Sequence, residues 1–173
     1  MSNDIAFADL SLRDTLDLAI FVEEEAKERY DEFAEQMEAH HTPDAAKFFR
    51  FMAENEVKHA EMLSAKRSSL FGDEPRTADT SMLFDIEAPE FDATRAFMSV
   101  KAALDVALLA EIKAYDFYND ALPEISDPDV TTLFTELREE EAKHQEMIRE
   151  TMAKVPEDDG FDPDDFVDGP AAQ

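Results

Sequence analysis

Two stretches decide the fold, FRFMAENEVKHAEML from Phe49 to Leu63 and FTELREEEAKHQEMI from Phe134 to Ile148. They align without a gap, and each carries Glu-x-x-His at the same place, Glu56 with His59 and Glu141 with His144. Phe49, Met52 and Leu63 share a helical stripe with the first pair, and Phe134, Leu137 and Ile148 with the second. Each stretch therefore reads as a helix whose buried face contains a carboxylate and an imidazole. A second repeat lies upstream of each: LDLAIFVEEEAKERYDEFA from Leu16 aligns with LDVALLAEIKAYDFYNDAL from Leu104. Its stripes are Leu16, Ala19, Glu23, Ala26, Tyr30, Phe33, Met37 and Leu104, Ala107, Glu111, Ala114, Tyr118, Ala121, Ile125. The chain is a helical hairpin written twice.

Start and stop signals divide it into four segments. The first opens at Ser11, with Asp14 completing a capping box, and runs to about His40. Thr42-Pro43 supplies an N-cap and a first-turn proline for the second, which ends near Leu70. The third begins near Asp92 to Thr94 and stops before Pro123; Asp127-Pro128 opens the fourth, which lasts to about Val155. The stretch between Leu70 and Ala93, with Gly72, Pro75 and Pro89, reads as a crossover long enough to return the chain along the helices, making the second and third segments parallel. An all-α four-helix bundle over residues 1–155 is expected, followed by an acidic tail, residues 156–173, whose composition predicts disorder. Phe161 and Phe166 in that tail suit a peptide that docks on a partner.

Composition excludes whole classes of function. The chain has no Cys, so disulfides, thiolate nucleophiles, zinc-thiolate sites and iron-sulfur centres are absent, and any metal must sit on oxygen and nitrogen. A formal charge of -27 repels nucleic acid and anionic membranes. The N-terminal residues show no leader pattern and no apolar run is long enough to span a bilayer, so the expected setting is cytoplasmic.

The buried stripes carry the chemistry. A carboxylate in an apolar stripe costs several kcal/mol to ionise unless it is compensated. Here Glu23, Glu56, Glu111 and Glu141 stand at mid-length of the four stripes, with no Lys or Arg at their centres. His59 and His144 are themselves metal ligands, and two divalent cations balance four carboxylates. Depth agrees, since Glu23 lies about as far before its turn as Glu56 and His59 lie after theirs. Tyr30 and Tyr118, seven residues beyond Glu23 and Glu111, are placed to hydrogen-bond a ligand carboxylate. His40 and His41 are read as helix-end residues, and Glu24, Glu25, Glu28, Glu139 and Glu140 as solvated neighbours of the motif.

EEEAKERY at Glu23 to Tyr30, ENEVKH at Glu54 to His59 and EEEAKH at Glu139 to His144 resemble the helix motifs of the ferritin-like superfamily, rubrerythrin's di-iron domain in particular. The resemblance covers about residues 11 to 155. It implies a ferritin-like bundle with two iron ions, manganese being the alternative. It implies Glu23 and Glu111 as terminal ligands, Glu56 and Glu141 as bridging carboxylates and His59 and His144 as imidazole ligands. Two departures stand out. Rubrerythrins carry a further Glu three residues after the third helix's ligand, where this chain has Ala114, and the cysteine-bound rubredoxin module is missing. The expected function is oxidation of ferrous ions by peroxide or O2, as a peroxidase or ferroxidase, with electrons from a separate donor protein and a homodimeric assembly. Iron storage, or service as cargo of a larger shell docked through the acidic tail, is the alternative.

Overall fold

The computed structural model describes residues 7–76, 78 and 99–156. Within them four helices form, α1 Leu12–Ala39, α2 Pro43–Phe71, α3 Val100–Ala121 and α4 Pro128–Met152, with short 3-10 turns at Phe7–Asp9 and Leu122–Glu124. The expected start of the third segment at Asp92 to Thr94, most of the crossover and almost all of the acidic tail, Phe161 and Phe166 included, lie outside the described residues.

Local chemistry accounts for most helix ends. Ser11 accepts from Asp14 N while the Asp14 side chain accepts from the Ser11 backbone, the capping box read from the sequence. Asp127 accepts from the backbone N of Asp129 and Val130, 3.0 Å each, with Pro128 at the first helical position. Ser99 caps α3 through Ala102 N. Thr42 departs from expectation. It stands at the N-cap of α2, but its hydroxyl donates back to the Met37 carbonyl at 2.9 Å. The hydroxyl closes the α1–α2 turn, in which His41 takes a φ of 58°. Ile125 also departs: α3 ends at Ala121, and Ile125 follows the 3-10 turn with extended backbone, packing on the core from outside the helical stripe.

α1 packs on α2 and α3 on α4 as hairpins, and the two hairpins join through α1 on α3 and α2 on α4. One apolar cluster unites the start of α1, the end of α2, the end of α3 and the start of α4, among them Leu16, Leu63, Tyr118 and Phe134. The other unites the end of α1, the start of α2, the start of α3 and the end of α4, among them Phe33, Phe49, Leu104 and Ile148. Hence α2 and α3 run parallel, as a long crossover requires. Each fully buried Leu or Phe contributes about 1.5–3 kcal/mol of apolar transfer. The two clusters sandwich a polar layer at mid-height, where the acidic and imidazole side chains lie.

Candidate metal centre

Two turns of apolar packing on either side hold the polar layer in place. Glu23 comes from α1, Glu56 and His59 from α2, Glu111 from α3, Glu141 and His144 from α4. All six are buried, the four carboxylates at 1–2% exposure. His59 Nδ1 lies 3.3 Å from Glu23, 3.2 Å from Glu56 and 3.5 Å from Glu141. His144 Nδ1 mirrors this at 3.1 Å from Glu111, 3.3 Å from Glu56 and 3.6 Å from Glu141. The two rings stack 5.4 Å apart. Atoms of Glu23, Glu56, His59 and Glu141 all fall within 4.8 Å of one another, as do those of Glu56, Glu111 and His144. Two overlapping donor sets result, with Glu56 in both.

Tyr30 donates to Glu111 and Tyr118 to Glu23, so each phenol serves the carboxylate of the other hairpin. The sequence placed each tyrosine two turns beyond a glutamate of its own helix. A helical side chain leans toward the N-terminus of its helix, and α1 and α3 run antiparallel, so each ring reaches back to mid-height and meets the opposite helix. Burial, and then the facing Glu111 or Glu23, hold both phenols well above the ordinary tyrosine range.

Burial and mutual proximity shift the proton affinities of these groups strongly. Burial raises Glu56 well above the carboxylate range. Burial and then Glu111 push Glu141 up to about 8. Glu111 is lowered, because the hydrogen bonds of Glu141 and His144 outweigh its own burial. Burial opposes charge on the imidazoles, yet the surrounding carboxylates outweigh it, raising His59 to about 12 and His144 to about 10. Even so, Glu56 Oε1 and Glu141 Oε1 are buried without a hydrogen-bond partner. Two unsatisfied oxygens at the centre of an oxygen-and-nitrogen donor set fit divalent cations.

Two cavities formed by described residues border this layer. Between α1 and α3 a small cavity of about 30 Å³ reaches Glu23, Glu56, Glu111 and Glu141 past Ala26 and Ala114. Between α2 and α4 a wider groove of about 510 Å³, flanked by Phe51, Lys58, Met62, Lys143 and Met147, ends on the two imidazoles. His40 and His41 stand at the end of α1 and belong to neither donor set. Glu24, Glu25, Glu28, Glu139 and Glu140 are not buried, and Glu24 pairs with Arg76 through both oxygens at 2.7 and 2.8 Å.

One buried pair escaped sequence reasoning. Asp17, fully buried on α1, accepts from Arg67, 6% exposed on α2. The duplication hides it, because the repeat equivalent Asp105 is exposed and Arg67 aligns with Met152. The only sequence signal is an Asp set directly beside a buried stripe. No described helix is long and apolar enough to cross a membrane.

The family model described as Rubrerythrin matches residues 14–152. A solved structure of an uncharacterised conserved protein from Magnetospirillum magnetotacticum MS-1 is 30% identical, with a TM-score of 0.74 over 85% of this chain and 97% of that one. A hypothetical protein from Pyrococcus furiosus shares the fold at 20% identity, with a TM-score of 0.64 over 87% of this chain and 92% of that one. No curated protein matches the chain.

Proposed function

The chain belongs to the rubrerythrin family, and from that premise we propose that it is a di-iron oxidoreductase that uses hydrogen peroxide or O2 as oxidant. The observation that carries the reading is the buried pair of overlapping donor sets with two unpartnered carboxylate oxygens. Glu23 and His59 would hold one ion, Glu111 and His144 the other, and Glu56 and Glu141 would lie between them. Two ferrous ions held there would supply the two electrons that, with two protons, cleave the O–O bond of hydrogen peroxide to give two water molecules. Manganese suits the same donors.

The chain's own residues prepare the site. Four carboxylates balance two divalent cations, so the loaded layer is neutral and its burial costs little. Tyr30 and Tyr118 keep their protons and fix the terminal carboxylates by donation, leaving the other oxygens to face the ions. The apolar clusters above and below close the layer along the bundle axis. Part of the proposal is that electrons return from a separate donor protein, since the chain has no Cys for a rubredoxin-type centre. A cytoplasmic setting and a homodimer belong to the same reading.

Anaerobic titration with ferrous ions, followed by peroxide or O2 in separate portions, tests it. The expected result is two iron ions bound per chain, with faster oxidation by peroxide. A chain that takes up no iron removes the site. A chain that takes up iron but turns over with neither oxidant is a carrier.

A further inference from the structure

We propose that Ala26 and Ala114 form a size-selective window between α1 and α3 that admits hydrogen peroxide and O2 to the carboxylates and excludes organic hydroperoxides. The inference rests on the functional reading above and deepens it to the class of oxidant.

The cavity behind this window has a volume of about 30 Å³, enough for a water-sized molecule. Its walls come from matched positions of the two hairpins, Glu23 with Glu111 and Ala26 with Ala114. Each alanine follows its glutamate by one helical turn, and because α1 and α3 are antiparallel the two methyl groups flank the carboxylate layer from opposite sides. The floor includes Glu56 and Glu141, 1% exposed, whose Oε1 atoms lack hydrogen-bond partners. Dioxygen and hydrogen peroxide are close to water in size, whereas the butyl group of tert-butyl hydroperoxide is several times larger.

The wider groove between α2 and α4 is lined by His59 and His144 and by none of the four central carboxylates. Both imidazoles are nearly buried, 6% and 2% exposed. Ala26 and Ala114 line the route to the carboxylate face together with Val22, Glu25, Arg29, Ala110 and Lys113. Helix packing is dense enough that larger side chains there would fill the cavity.

The experiment starts from protein loaded anaerobically with ferrous ions, its iron content measured before any probe is added. Nitric oxide, a neutral diatomic, then reports access by its association rate, read from absorbance and independent of turnover. In Ala26→Leu/Ala114→Leu the rate should fall by at least about tenfold with iron content unchanged, because the added carbons occupy the cavity. In Ala26→Gly/Ala114→Gly the oxidation rate with tert-butyl hydroperoxide, relative to hydrogen peroxide, should rise by a similar factor. An unchanged nitric oxide rate in the leucine variant overturns the window, as does wild-type protein that reacts equally fast with both peroxides. Should the leucine variant fail to bind iron, unchanged selectivity in the glycine variant overturns it instead. Wild-type protein without iron sinks the functional reading itself, and the metal analysis shows that first.

Discussion

His59 and Glu56 sit on one turn of α2, and both contribute to the donor set that includes Glu23. His59→Ala should remove one metal position, leaving about one iron per chain by elemental analysis, with the helical circular dichroism retained, because loss of one donor commonly costs metal affinity and not helix packing. Glu56→Ala, which belongs to both sets, should impair both positions. Two iron ions in both variants would move the site elsewhere. Ala114 marks the departure from the rubrerythrin pattern. With Ala at this position, His59 and His144 see near-equivalent surroundings, each Nδ1 within 3.3 Å of its own hairpin's terminal carboxylate. The ferrous protein should therefore give a single Mössbauer doublet. Ala114→Glu would set a carboxylate one turn beyond Glu111 on the same face, and the doublet should split as the two irons become inequivalent. Two well-separated doublets in the wild type would refute the symmetric site.

At the scale of elements, the duplicated hairpins agree in their polar layer and diverge in their packing. Phe33 on α1 has Ala121 as its counterpart on α3, and at that end of the bundle Phe7 meets Phe117 edge-on at 5.2 Å. Tyr30 stacks on Phe49 at 22°, whereas Tyr118 meets Phe134 at 87°. Apolar volume can be redistributed among neighbours, whereas donor positions cannot, so the site keeps its symmetry where the core does not. The Asp17–Arg67 pair is a second divergence, tying the start of α1 to the end of α2. Arg67→Ala would take the guanidinium from a buried carboxylate and should destabilise the fold by about 3–5 kcal/mol in urea denaturation. Asp17→Leu/Arg67→Met should recover most of that, since an apolar pair leaves no charge behind. A loss below about 1 kcal/mol in the single variant would mean that water already reaches the pair.

At the scale of the whole molecule, protons and metal compete for one buried layer. Without metal, Glu56 and Glu141 are raised from 4.5, Glu141 to about 8, and His59 and His144 are raised from 6.5 to about 12 and about 10. The folded layer then binds more protons than the unfolded chain. Its contribution is complete below the unfolded values and is lost as pH rises through the folded ones. Glu111, which is lowered, works in the opposite sense, and only below its ordinary value of 4.5. The melting temperature of chelator-treated protein should therefore fall between about pH 6 and about pH 9. Bound metal displaces those protons, so added ferrous or manganous ion should stabilise more strongly at the higher pH. A metal-free melting temperature that rises across this range would show that the layer does not store protons.

Helix number, the duplication and the buried layer of six Glu and His side chains were legible in the chain, because helical period and repeat register are local properties. The stripes containing Glu23, Glu56, His59, Glu111, Glu141 and His144 needed only spacing to be recognised. The parallel course of α2 and α3 was also legible, from the length of the crossover. Three features required the tertiary structure. Tyr30 serves Glu111, and Tyr118 serves Glu23, only because α1 and α3 lie antiparallel and side by side. Arg67 reaches Asp17 across fifty residues of chain, at a place where the repeat offers no counterpart. The Ala26–Ala114 window exists because two small residues from separate hairpins line one cavity at the carboxylate layer. Periodicity reports which face of a helix is buried, and packing alone decides what that face meets.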